Sequence, residues 1–145
     1  MYPPQLTAPM KADLVDFGFE DLTTAAEVDE FISKSEGTIF LVINSVCGCA
    51  AGNARPAAKA AVHYSEKKPT RFATVFAGVD HEAVNRAREY TLPYPPSSPS
   101  MAMFKDGQLV HFVERLQIEG NSAKAIAHQL LDALNEQCSN TQLKI

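Results

Sequence analysis

The chain has no tryptophan, only three cysteines, and no hydrophobic run near the length of a membrane span. A bilayer-crossing helix needs about 20 consecutive apolar residues, so none is expected. Three cysteines in 145 residues do not make a disulfide scaffold. The opening segment MYPPQLTAPM has neither a basic n-region nor an apolar h-region. It does not read as a secretory signal, and a cytoplasmic location is expected. Thiols there are held reduced, so a cysteine pair is more often catalytic or metal-binding than structural. The formal net charge is -4 and no basic stripe interrupts it, which argues against a nucleic-acid partner.

What is present suits one domain, 1–145, with its own core: 46% of residues are hydrophobic and 21% charged. No repeat and no second domain is visible, and a monomer is expected. Residues 1–10 are proline-rich and read as an extended arm. A short strand is expected near Val15 to Leu22. Thr24 and Glu27 have the spacing of a capping box. Val28, Phe31 and Ile32 follow at helical spacing, and Gly37 ends that segment.

The chain is organised around the stretch from Thr38 to Pro56, TIFLVINSVCGCAAGNARP. Ile39 to Ile43 is an unbroken apolar run and reads as a buried strand. It stops at Asn44 and Ser45. Cys47, Gly48 and Cys49 come next, then an alanine-rich helix in which Pro56 predicts a kink. Two thiols are therefore delivered to the start of a helix. Its first N–H groups have no intrahelical partner and carry the positive end of the dipole. A thiolate placed there is stabilised and reactive near neutral pH. The residues thus point to thiol–disulfide exchange at Cys47, with Cys49 as the resolving thiol.

Phe72 to Phe76 reads as a second apolar strand, and Asp80 as the N-cap of a helix through Tyr90. Thr91 to Ser100 has four prolines in ten residues and cannot be regular structure. Asp106-Gly107 predicts a tight hairpin between Met101–Phe104 and Gln108–Glu114. Asn121 or Ser122 caps a last helix, whose stripe is Ala123, Ile126, Ala127, Leu130, Leu131 and Leu134. The tail from residue 139 to 145 is polar and expected to fray. This order predicts an α/β domain with a mixed sheet, helices on both faces, and the dithiol at a strand's C-terminal end.

The order of elements, the dithiol before the second helix and the proline before the hairpin resemble the thioredoxin fold. That fold has a central mixed sheet of about five strands. Pro99-Ser100-Met101-Ala102-Met103-Phe104-Lys105-Asp106-Gly107 is similar to the thioredoxin cis-proline segment. The resemblance implies that Ser98-Pro99 is the cis bond and that its loop faces the dithiol and an incoming substrate chain. More closely, the chain resembles the bacilliredoxin family through NSVCGCAAGNARPA, YPPSSPS, KDGQLVHF and IEG. That resemblance implies reduction of mixed disulfides between bacillithiol and protein cysteines, with S-bacillithiolated client proteins as partners. Bacillithiol is then a co-substrate, and no bound cofactor is needed. Weak disulfide-isomerase activity is also associated with the family.

Two features depart from ordinary thioredoxins. The spacing is Cys-x-Cys, so the disulfide ring is strained and a weaker reductant is expected. The buried acid of thioredoxins falls at Leu41, and their active-site tryptophan at Val46. Glu114 is one conceivable replacement for that acid, though strand alternation would equally turn it to solvent.

Other readings stay open. Two thiolates could bind Zn or Cu(I), but a structural Zn site takes four ligands, no second cysteine pair exists, and His63 lies too far along its helix. A general disulfide reductase or isomerase is one alternative. A non-enzymatic redox-sensing or metal-binding module is another. Arg55 could favour a thiolate or a carboxylate-bearing substrate, or simply be solvated. Gly48 separates the thiols, while Asn44, Ser45 and Asn53 could orient the turn. Cys138 reads as inert, and His81, His111 and His128 as surface or strand-end residues.

Overall fold

A computed structural model describes residues 2–138 and 140–141 of the chain. Its centre is strand β2, Thr38–Asn44, every residue of which is buried. An unbroken apolar run of this kind suits a strand covered on both faces. The other strands are β1 (Glu20–Asp21), β4 (Arg71–Phe76), β5 (Ser100–Lys105) and β6 (Gln108–Val113), in the order β1-β4-β2-β5-β6. β1 and β2 run parallel to β4, while β5 is antiparallel to both β2 and β6. The sheet is therefore mixed and five-stranded, as expected.

Strand alternation divides the core. Phe40 and Val42 enter the layer containing Leu14, Ala58, Ala61 and Leu130. Those residues come from helices α1 (Pro4–Val15), α3 (Arg55–Tyr64) and α6 (Ala123–Gln137). Ile39, Leu41 and Ile43 face the other layer, with Phe31, Ile32, Val84 and Ala87. Those come from helices α2 (Ala25–Lys34) and α4 (His81–Tyr90). A short helix, α5 (Arg115–Glu119), precedes α6.

The capping box at α2 is closed on both sides. Glu27 N–H donates to Thr24 Oγ1 at 3.2 Å, and Thr24 N–H donates to Glu27 Oε1 at 3.1 Å. The helix ends at Lys34, and Gly37 lies in the following turn with φ +70°. Asp106 and Gly107 both have positive φ, 52° and 80°, which a two-residue hairpin of this hand requires. Ser122 accepts the Ala125 N–H and caps α6. Asp80 precedes α4 but caps nothing with its side chain, which pairs with Lys11 at 2.9 Å.

Three expectations are corrected. Residues 1–10 are not an extended arm, because α1 starts at Pro4. A proline at a helix start has no N–H to waste. Leu14 is fully buried, and Asp13 pairs with Arg55 and Lys59, which holds the helix on the domain. Val15 therefore closes a helix rather than opening a strand, and β1 is only Glu20–Asp21. In the expected frayed tail, Asn140–Thr141 form β7, antiparallel to β3 (Lys67–Lys68). The backbone of Lys67–Lys68 offers hydrogen-bonding groups that this segment satisfies. The rest of the tail expected to fray, residues 139 and 142–145, lies outside the described residues.

Thr24→Ala removes one side of a closed capping box. It is expected to cost about 1 kcal/mol of folding stability, read from the urea unfolding midpoint.

Candidate active site

The site begins where β2 stops. Asn44 is 1% exposed, so its amide must find partners inside. Its Oδ1 accepts the Ser45 N–H at 2.8 Å and Arg55 Nη1 at 3.1 Å, and its Nδ2 donates to the Met10 carbonyl at 3.2 Å. Arg55 Nη1 also donates to the Ser45 carbonyl at 3.2 Å, and Nε to Asp13 Oδ2 at 3.0 Å. Ser45 Oγ in turn accepts the Cys47 N–H at 3.3 Å. Arg55 is itself buried. Its Nε and Nη1 face the underside of the turn, so it is not the solvated arginine of one expectation, and it hydrogen-bonds to neither thiol. Asn44, Ser45 and Arg55 are positioning residues. Asn53 braces the other side, donating to the Ile118 and Asn121 carbonyls at 3.0 and 2.9 Å.

The Cys47 carbonyl accepts the Ala50 and Ala51 N–H groups, so Cys47 stands at the head of the helix. Gly48 and Cys49 are already helical. Ala50–Ala54 then wind as a π-helix, with the Arg55 N–H reaching the Ala50 carbonyl. Pro56 thereby falls in the first turn of α3. A proline ring crowds the carbonyl four residues back, and the wider winding relieves it. The expected kink is replaced by these π turns.

Both thiols are free and half-exposed, and they are pushed in opposite directions. Burial works against a thiolate at Cys47. The Ala50 N–H, the Cys49 thiol and N–H, and the Ser45 hydroxyl outweigh it and hold this thiol below its ordinary range. At Cys49, burial, the hydrogen bond to Cys47 and the negative charges of Cys47 and Glu119 all push the thiol up. The Arg115 charge opposes that rise.

Arg115 and Glu119 are the site residues that sequence reasoning missed, because α5 was not foreseen. Its signal was a second capping spacing, Glu114 to Gln117, of the kind already recognised at Thr24. Glu114 is the N-cap residue of α5, and its own N–H donates to Gln117 Oε1 at 2.8 Å. It hydrogen-bonds to neither thiol and does not border their cleft. Cys49 Sγ instead donates to Glu119 Oε2, a long contact at 3.7 Å. Arg115 spans the site: its Nη2 meets Glu119 at 3.3 Å and its Nη1 donates to the Ser98 carbonyl at 3.3 Å. The charge of Cys47 is the main cause that raises the Arg115 guanidinium. The Ser98-Pro99 bond is cis. Ser98, Cys47, Val46, Arg115 and Arg88 border one cleft of ≈ 310 Å³.

The remaining candidates lie elsewhere. Cys138 is packed into the core, where burial pushes its thiol up to about 11. It follows Gln137, whose carbonyl accepts from Thr38 at the opposite end of β2. Seven residues of strand put that end roughly 20 Å from the dithiol. His63, His81 and His128 are exposed on helices, and His111 is half-buried on β6. None of the four borders the dithiol cleft. Among the described residues, no group of three or more His, Cys, Asp or Glu side chains is placed to hold a metal ion. Among them also, no helix is long and apolar enough to cross a membrane.

Comparison with known proteins matches residues 2–138 to the family described as Disulphide isomerase. The chain is 63% identical over 130 residues to a bacilliredoxin of Cytophaga hutchinsonii, covering 90% of this chain and 95% of that one. The chain belongs to the bacilliredoxin family. A bacilliredoxin of Bacillus licheniformis is 53% identical over 137 residues, covering 94% and 95% of the two chains. Solved thioredoxins share the fold. Fasciola hepatica thioredoxin superposes with a TM-score of 0.56 at 20% identity, covering 82% of this chain and 99% of its own. Like other bacilliredoxins, the protein is a thiol–disulfide oxidoreductase on a thioredoxin fold.

Because its thiol is held low, Cys47 keeps its thiolate as pH falls below the ordinary thiol range, and loses it only on passing its own lower value. Arg115→Gln removes the facing positive charge. The pH profile of Cys47 alkylation is expected to move upward, with the rate at neutral pH falling roughly two- to fivefold. An unmoved profile would separate Arg115 from the thiolate.

Proposed function

We propose that the protein reduces mixed disulfides between bacillithiol and protein cysteines, with Cys47 attacking and Cys49 resolving. The observation that carries this reading is the opposite push on two thiols one residue apart. One thiol is shifted toward the thiolate and the other toward the protonated form. Bacilliredoxin relatives along almost the whole chain support the substrate class.

The Cys47 thiolate attacks the bacillithiol sulfur of the mixed disulfide. A Cys47–bacillithiol disulfide forms, and the client leaves as a thiolate that takes up a proton. Cys47 has then lost its charge. The repulsion that kept Cys49 protonated is lifted, and the Glu119 carboxylate is positioned to take its proton. The Cys49 thiolate attacks Cys47, bacillithiol leaves, and the protein holds a Cys47–Cys49 disulfide. The mixed disulfide has gained two electrons, released as client thiol and bacillithiol, and the dithiol has lost two, which further thiol must return. Alternatively a second bacillithiol attacks and regenerates Cys47 directly. The electrons come from thiols, so the cycle calls for no bound cofactor. The cis-proline loop at Ser98 and Pro99 shapes the approach of the client chain. We place this activity in the cytoplasm and in a monomer.

Leu116 favours a second reading, general disulfide reduction or isomerisation of protein clients. It follows Arg115 directly in α5 and is 80% exposed, an apolar contact for a non-native chain.

Incubation with a bacillithiol-modified client, followed by intact mass spectrometry, tests both readings. Cys47→Ala is expected to abolish release of the client. Cys49→Ala is expected to release it and retain bacillithiol on Cys47. Full activity of Cys47→Ala would reverse the assignment. A client left modified while scrambled disulfides are reshuffled would favour the second reading. Glu119→Gln is expected to slow the second step about tenfold or more while sparing the first, since a positioned base is worth at least that much.

A further inference from the structure

The cleft beside Cys47 holds a charge imbalance that the exchange reaction leaves unexplained. Its lining includes two guanidiniums, Arg88 and Arg115, and no carboxylate. Arg115 has Glu119 beside it. Arg88 has no such partner: among the described residues it forms no ion pair. Its Nε is buried without a hydrogen-bond acceptor. Buried polar atoms in folded proteins are nearly always paired, and an orphan in a cleft calls for a ligand. Burial lowers the pKa of this part-buried guanidinium, with no acid beside it to oppose the shift.

The surroundings are built rather than incidental. Arg88 lies in the last turn of α4. The wall beside it is formed by Gly78 and Tyr2. Gly78 has φ +90°, and a Cβ there would meet the Tyr2 ring at 2.6 Å. Only glycine lets the ring close this side. A cleft of ≈ 310 Å³ is at the small end of ligand sites, too small for a folded partner and adequate for a modest molecule.

We propose that Arg88 binds a carboxylate of the small thiol whose sulfur Cys47 attacks, and so selects anionic thiols over neutral ones. The inference rests on the proposed reduction of small-thiol mixed disulfides. Planar, forked donors match a carboxylate bidentately, which a lysine at this position would not. The charge balance suits the reaction. Cys47 becomes neutral once it carries the small thiol, and a bound carboxylate keeps the cleft from being left with uncompensated positive charge.

The test uses one single-cysteine client conjugated in turn to mercaptosuccinate, mercaptoethanol and cysteamine, with each rate divided by that for dithiothreitol. The wild-type protein is expected to favour the mercaptosuccinate conjugate over the mercaptoethanol one by about tenfold in kcat/KM, the ratio one charge-assisted contact supplies. Arg88→Gln should bring that ratio close to one, and Arg88→Glu should turn the preference toward cysteamine. Equal rates in the wild type, or a ratio unmoved by Arg88→Gln, overturn the proposal. A peptide client bearing mercaptoethanol, with Asp or Ala beside its cysteine, forms the second arm. An Arg88-dependent gain from that Asp, without one from mercaptosuccinate, would overturn the proposal in favour of the client chain.

A binding measurement keeps the question open to an answer if no conjugate is turned over, which would count against the proposed function alone. Succinate is titrated into the reduced protein while the Arg88 Nε–H resonance is followed by NMR. A saturable shift, lost in Gly78→Leu where Tyr2 is displaced, supports the site. No shift overturns it.

Discussion

The Arg55 guanidinium is the interaction on which the rest of the site depends. A buried charge is costly unless its partners are complete. Here Asp13 supplies the countercharge from α1, while Asn44 and Ser45 supply neutral acceptors from the end of β2. One side chain thus ties the N-terminal helix, the central strand and the active-site helix at a single point. The Ser45 carbonyl is fixed by Arg55, and the Ser45 hydroxyl receives the Cys47 N–H. The direction in which the Cys47 thiol leaves the turn is therefore set from below, by a buried residue that does not touch the thiol. The same contact explains why α1 is a helix and not a loose arm.

Above that anchor, the two thiols share one local field. The helix N–H groups serve Cys47, and the charge they create raises Cys49. With a single glycine between them the thiols cannot have independent environments. The asymmetry is self-cancelling: consuming the Cys47 thiolate removes the charge that suppresses Cys49. In the proposed cycle, that electrostatic asymmetry favours attack by Cys47 before Cys49.

What could be read from the sequence was whatever is local. The apolar run of β2, the capping box at Thr24, the Asp106-Gly107 hairpin and the stripe of α6 each write their geometry in adjacent residues, and each is where it was expected. The dithiol's place at the head of a helix was legible for the same reason. The failures are non-local. Residues 1–10 look extended because their prolines are visible, whereas the contacts of Leu14 and Asp13 that stabilise a helix are not. Arg55 looked available because its acceptors lie 10, 11 and 42 positions away in the chain. Arg88 and Arg115 reach the cleft, and Glu119 reaches Cys49, from α4 and α5, elements whose approach to the dithiol only the fold reveals. α5 itself is an exception: its capping spacing was in the sequence and simply competed with a strand reading of Glu114.

The displaced acid follows from the same layering. Leu41 is fully buried in the α2–α4 face of the sheet, among Ile39, Ile43 and Phe104. A leucine there contributes about 1.5–3 kcal/mol of burial, where a carboxylate would carry a desolvation cost and stay uncharged without a partner. Glu119 stands at the opposite limit, on an exposed helix at the rim of the dithiol. It reaches Cys49 from outside and can return its proton directly to water. Arg115 holds it in place and screens it from the neighbouring thiolate. The core thus keeps an uninterrupted apolar strand, and the carboxylate that meets Cys49 comes from α5 instead.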